Sequence, residues 1–269
     1  MCLYKQTKGV ETHGNASPKK NMHTKQSLLS NLSTLGIDPA GTLMVHISCR
    51  AVGKVEGRGD TMLDALSDYM RPGLLVLPSH TWNNVTADNP VMDVLHTPTC
   101  VGVLTEMFRK RPGVLRSLHP THSLAALGKD ARAFLSGEER MQTPCAKHSA
   151  YYKLWERDAQ ILLIGVSFIR NTFIHGIEEW DGAQGTISPA IGDYYVVNYE
   201  GNRLHTPQYR HCARLGSETF SKLEPEAQRQ GVLSLGRFGD ATARFIHARP
   251  LRTMVAAILK DDPLYLTRY

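Results

Sequence analysis

The alternation of short, unbroken apolar runs with segments of helical period constrains this chain's fold more than any other feature. Leu74 to Leu77 and Ile161 to Val166 are apolar runs of strand length, the pattern of strands buried on both faces. Thr42 to Ile47 reads as another strand. Between them, Leu28, Leu29, Leu32 and Leu35 recur at helical spacing before Gly36, and Met62, Leu63, Leu66 and Met70 share a helical face that ends at Pro72-Gly73. The order helix, strand, helix, strand predicts an α/β fold. Further helices are expected over Val101 to Arg111, Asp130 to Leu135, Ser149 to Arg157, around His175, and over Arg252 to Lys260. Further strands are expected over Ser123 to Leu127 and Ala243 to His247. Tyr194 to Tyr199 and Arg203 to Thr206 read as a hairpin across Glu200-Gly201-Asn202. Residues 78–98 lack periodicity and read as a long excursion of the kind that shapes substrate pockets. Residues 1–23 are polar and read as a flexible lead-in to one domain over 24–269.

A chain of 269 residues with 42% hydrophobic residues supports a substantial core. Its apolar runs fall far short of the about 20 residues that span a bilayer, so no membrane passage is expected. The start, Met1-Cys-Leu-Tyr-Lys-Gln-Thr-Lys, has no apolar signal core, and a cytoplasmic enzyme is the expectation. Cys2, Cys49, Cys100, Cys145 and Cys212 form no Cys-x-x-Cys pair and are expected as reduced thiols, mostly buried. The net charge of +6 is scattered along the chain, and neither a basic stripe nor a recognition helix appears. That argues against nucleic acid and for a small polyphosphate ligand.

Three segments can carry chemistry. In Asn171-Thr-Phe-Ile-His175-Gly-Ile-Glu178-Glu179-Trp180, His175 and Glu178 are one helical turn apart, so an imidazole base and an orienting carboxylate can face one cleft. A surface or capping histidine fits the same spacing. Arg116-Ser-Leu-His119-Pro-Thr-His122-Ser123 is a rigid polar turn. Its histidines fit a loop that bonds its own backbone; as metal ligands they lack a third partner at a recognised spacing, and no metal is expected. Val45-His46-Ile47-Ser48, followed by Gly53, Gly57 and Gly59, is a strand running into a loop that can offer backbone N–H groups to phosphate or carbonyl oxygens, or simply turn the chain. A hydrolase with Cys145 or Ser123 as nucleophile is a competing reading, although no Gly-x-Ser-x-Gly elbow is present.

Taken in order, these blocks resemble the aminoglycoside N(3)-acetyltransferase family over about Leu32 to Leu259. The carriers are Val45-His-Ile-Ser48, Gly59-Asp-Thr-Met-Leu-Asp-Ala-Leu66, Leu74 to Pro78, Thr97-Pro-Thr-Cys-Val-Gly102 with Glu106-Met-Phe-Arg109, Arg116-Ser-Leu-His-Pro120 with Ser123-Leu-Ala-Ala-Leu-Gly128, and Leu162 to Glu178. The resemblance implies a single mixed-sheet α/β domain with flanking helices, distinct from the GCN5-related fold. It also implies direct acetyl transfer from acetyl-CoA to a small-molecule amine, the 3-amino group of an aminoglycoside being one candidate; a monomer or homodimer is expected. His175 becomes the base, Glu178 or Glu179 its orienter, and Thr172 a group near the reacting carbonyl. Ser48, Val52, Gly53, Arg58, Arg116, His119 and Ser123 are expected along the CoA path. Trp82, Asp88, Glu179 and Asp181 are expected on the acceptor side, with Trp180 as a further wall. The 78–98 excursion is short for the family and poor in carboxylates, so amine acetylation is better supported than a polycationic acceptor. A CoA-binding protein without transfer activity is the non-enzymatic alternative.

Overall fold

The computed structural model describes residues 22–212 and 217–268. The first half holds α1 (Lys25–Thr34), β1 (Thr42–Ile47), α2 (Arg58–Tyr69), β2 (Leu74–Pro78), β3 (Val91–Asp93), α3 (Val103–Arg109), β4 (Leu115–Arg116) and β5 (Leu124–Gly128). Next come α4 (Ala131–Leu135), α5 (Ala150–Glu156), β6 (Gln160–Ile164), α6 (Phe173–Trp180), β7 (Ile187–Gly192), β8 (Tyr195–Val197), β9 (Arg203–His205) and β10 (Gln208–His211). The chain closes with α7 (Leu223–Arg229), β11 (Leu233–Phe238), β12 (Ala241–His247) and α8 (Ala248–Asp261).

Seven strands form the main sheet in the order β11-β12-β6-β1-β2-β5-β4. The centre, β6-β1-β2, is parallel, and β12 and β5 join it antiparallel. Side chains alternate across the sheet, as the period of two in a strand requires. Met44, Val76, Ile161 and Leu163 enter a core completed by Phe134, Leu154, Ile177 and Val255. Leu43, Val45, Leu77, Leu162 and Ile164 enter a second core with Leu28 and Leu32 of α1, Leu63 of α2 and Phe108 of α3. Helices therefore cover both faces of a mixed sheet, the architecture expected from the sequence.

The departures come from long-range pairing. Residues 78–98 contain β3, which pairs with β8 more than a hundred residues later and closes a small core of Val85, Met92, Val94, Tyr194 and Val196. The sequence pattern does not reveal β7, β10, β11 or α7, and it places the starts of α2 and α8 a few residues late, at Thr61 and Arg252. The β8–β9 hairpin forms as expected.

Of the lead-in, residues 1–21 lie outside the described residues. His23 is docked: its backbone bonds Lys54 and Glu56, and its ring lies 3.1 Å from Asp240. Cys2 also falls outside. Cys145 is buried, whereas Cys49, Cys100 and Cys212 are half-buried free thiols. Among the described residues, no helix is long and apolar enough to cross a membrane.

Candidate active site

In an open α/β sheet, ligands bind where the parallel strands end at their carboxyl edge, because loops diverge there and leave a crevice. Here the ends of all three parallel strands open into one cavity of about 630 Å³. After β1, His46, Ile47 and Ser48 line it; after β2, Pro78, His80 and Trp82; after β6, Val166, Ile169, Arg170, Thr172 and His175. Arg210, His211 and Cys212 close the wall from β10, with Glu218 beside them. A smaller cavity of about 160 Å³ adjoins at His175 and His211. Gly165 makes the turn out of β6 possible: its φ is +65°, and a Cβ there would stand 2.2 Å from that of Ala51 in the loop after Ser48.

Thr172 immediately precedes α6, and His175 and Glu178 follow on one face of that helix. Glu178 Oε2 accepts a hydrogen bond from His175 Nδ1 at 2.7 Å. Glu178 rather than Glu179 is thus the partner of His175. Glu179 instead accepts from His211 Nε2 at 2.8 Å, from the Cys145 backbone N–H at 2.9 Å and from Thr143 Oγ1 at 2.5 Å. The rings of His175 and His211 stack with centroids 4.3 Å apart and planes 30° from parallel, and Phe220 meets His175 edge-on. Two imidazole–carboxylate pairs therefore lie side by side at the cavity wall.

Burial sets the charge states around them. Burial holds the His46 and His119 imidazoles down at about 4. His80, His122 and His211 also lie well below the ordinary imidazole value, first because they are buried and second because their charge would be set against neighbouring histidines and, for His211, against Arg210. Burial raises Glu178 despite its bond to His175, and lifts Glu179 to about 7. A neutral His211 means that no cationic ring is stacked on His175 as it takes a proton.

The other residues singled out from sequence divide sharply. Ser48, Thr172 and Trp82 line the cavity. The remaining residues expected on the CoA path do not. Val52 is enclosed in the core, and Gly53, at φ +85°, lies against the turn at Asp240, where a Cβ would come within 2.2 Å of the carboxylate. Arg58 is exposed at the start of α2, away from the cavity. Arg116 is 4% exposed and donates to the carbonyls of Thr97 and Ser79 and to Ser123 Oγ, which leaves its fork facing protein rather than phosphate. Ser123 Oγ donates to Ser79 O. His119 Nδ1 accepts the backbone N–H groups of Thr121 and His122, so its proton sits on Nε2, aimed at Thr143 O. On the acceptor side, Asp88 is exposed, Asp181 is held by Nε and Nη2 of Arg252, and Trp180 is buried with its indole N–H on Cys145 O. Cys145 is enclosed, and burial pushes its thiol well above the ordinary value, contrary to what a nucleophile needs. Cys145, Glu179 and His211 bring ligand-type atoms within 4.8 Å of one another. Both Glu179 oxygens and His211 Nε2 are already engaged in hydrogen bonds there.

No local sequence signal marks His211, Arg210, His80 or Arg170. Arg210 donates to Trp82 O at 2.6 Å, tying β10 to the excursion. Among the described cavity residues the acidic side chain is Glu218, against Arg170 and Arg210.

A family model described as aminoglycoside 3-N-acetyltransferase matches residues 44–260. The chain belongs to the aminoglycoside 3-N-acetyltransferase family. It is an acetyl-CoA-dependent N-acetyltransferase. It is 29% identical over 245 residues to aminoglycoside N(3)-acetyltransferase IV of Salmonella sp, covering 89% of this chain and 88% of that one. The crystal structure of the apoenzyme of aminoglycoside acetyltransferase AAC(3)-IVa superposes with a TM-score of 0.78 at 27% identity, covering 92% of each chain. A histidine-to-alanine mutant of AAC(3)-IVa in complex with a gentamicin gives a TM-score of 0.79 at 26% identity, covering 93% of each. The fold of this acetyltransferase is the one the sequence resemblance implied, not the GCN5-related one.

Proposed function

We propose that this chain transfers an acetyl group from acetyl-CoA directly to an amino group of an aminoglycoside, with His175 as general base and Glu178 as its orienter. The observation that carries this reading is the 2.7 Å bond between His175 and Glu178 at a cavity formed by the ends of the parallel strands. An ammonium has no lone pair with which to attack, so a base must take its proton. The carboxylate occupies Nδ1, so Nε2 of His175 is the nitrogen that receives it. A buried carboxylate on the far nitrogen fixes the tautomer and stabilises the imidazolium as it forms.

Bound acetyl-CoA supplies the activated acetyl carbonyl. Thr172 and Ser48 line the same cavity and offer hydroxyl donors for charge developing on that carbonyl oxygen. Arg170, exposed on the cavity wall and without a side-chain partner among the described residues, provides a cation for phosphate. The gentamicin complex of AAC(3)-IVa supports an aminoglycoside as acceptor.

The test is incubation with acetyl-CoA and a panel of aminoglycosides and simple alkyl and aryl amines, read by mass spectrometry. The expected result is the gain of one acetyl group on an aminoglycoside. CoA binding with no acetylation of any amine would overturn the proposal and leave the non-catalytic CoA-binding reading.

A further inference from the structure

The second imidazole–carboxylate pair has a consequence for substrate choice. In its ionised form Glu179, whose Oε1 also takes the Cys145 backbone N–H, accepts from His211 Nε2, so the His211 proton resides on Nε2 and Nδ1 carries a lone pair. His175 has the mirrored arrangement, with Nδ1 on Glu178 and Nε2 left over. Neither remaining nitrogen hydrogen-bonds a described residue, and both rings line the main cavity and its smaller neighbour. The ring centroids stand 4.3 Å apart, so the two acceptors belong to adjacent, stacked rings on one wall.

We infer that His211, held by Glu179, is a specificity-determining residue that accepts a hydrogen bond from a second N–H or O–H group of the acceptor, close to the amine that His175 deprotonates. This inference rests on the reading of His175 as the base. It selects amines that carry a neighbouring hydroxyl or amine over amines with no second donor. An amine that covers this wall without offering a donor strips the nitrogen of water and leaves it unpaired, so an amine lacking that donor is disfavoured. Packing alone does not explain the arrangement, since an apolar ring would stack on His175 equally well and would require no buried carboxylate beside it.

The experiment compares kcat/KM with acetyl-CoA for cyclohexylamine and for aminocyclohexanols bearing the hydroxyl on the adjacent or the alternate carbon. The native enzyme is expected to favour one aminocyclohexanol by about tenfold or more, the scale of one well-placed hydrogen bond. His211→Phe keeps a ring against His175 and removes the acceptor, and it is expected to bring that ratio close to one, chiefly through a higher KM for the aminocyclohexanol. If His211→Phe does not fold, as judged by thermal melting, His211→Leu reads the same ratio. His211→Gln, which retains both an acceptor and a donor, should recover part of the preference. A preference that survives both apolar replacements overturns the inference while leaving His175 as the base. Equal loss on both amines also overturns it, because His211 would then act only by propping His175. A native enzyme that acetylates no amine overturns the proposed function and this inference with it.

Discussion

Two polar clusters flank His122, and their difference separates structural from chemical histidines. In one, Arg116, His119 and Ser123 are buried and fully engaged: both nitrogens of His119 and the guanidinium of Arg116 bond protein atoms. In the other, His175 and His211 are nearly as buried, with side chains 16% and 13% exposed, yet each bonds a glutamate through one nitrogen and has no described partner on the other, while both rings line the cavity. A buried polar group whose hydrogen bonds are complete fixes the backbone around it. One left incomplete beside a cavity is available to a ligand.

The comparison predicts opposite responses to mutation. Arg116→Met should have the largest effect, destabilising the fold by about 3 kcal/mol, because a buried and a part-buried carbonyl lose a charged donor. Denaturant unfolding would check this, and an unchanged midpoint with loss of CoA affinity would return Arg116 to the ligand side. Glu178→Gln should instead leave the midpoint nearly unchanged and lower kcat on the order of 10²-fold, since the imidazolium loses its counter-charge.

A smaller effect follows from pH. His46 and His119, held at about 4, and His80, His122 and His211, also below 6.5, bind fewer protons folded than unfolded. Their contribution is therefore complete above pH 6.5 and is lost as pH falls toward 4. Glu138 and Glu179, raised from 4.5 to about 7, act in the opposite sense: their contribution is present below 4.5 and is lost as pH rises through 7. Burial raises Glu178 in the same direction. Five histidines against three glutamates leave a net loss of stability on acidification. Tm should fall between pH 6.5 and 4.5, and His119→Gln should flatten that fall; a Tm that rises on acidification would contradict these assignments.

What could be read from sequence follows the range of the interactions. The central strands were legible because β1, β2 and β6 are buried on both faces and need an unbroken apolar run. His175 and Glu178 were legible because their contact is one helical turn long. The positive charge of Arg116 and the family resemblance point to the CoA path, whereas its partners Thr97 and Ser79 lie 19 and 37 residues away and leave no local mark. His211 left no local trace: its carboxylate is 32 residues distant, on another element, and β10 carries no apolar alternation that marks it as a strand. β3 escaped for the same reason, since only β8 makes it a strand.

The most direct test sets His175→Gln beside His119→Gln and measures acetyl-transfer rate, CoA affinity and Tm for both. His175→Gln is expected to lose turnover by at least about 10²-fold, with CoA affinity and Tm close to native, while His119→Gln lowers Tm and leaves turnover per folded molecule near native. Near-native turnover in His175→Gln would contradict the role of His175 as the base.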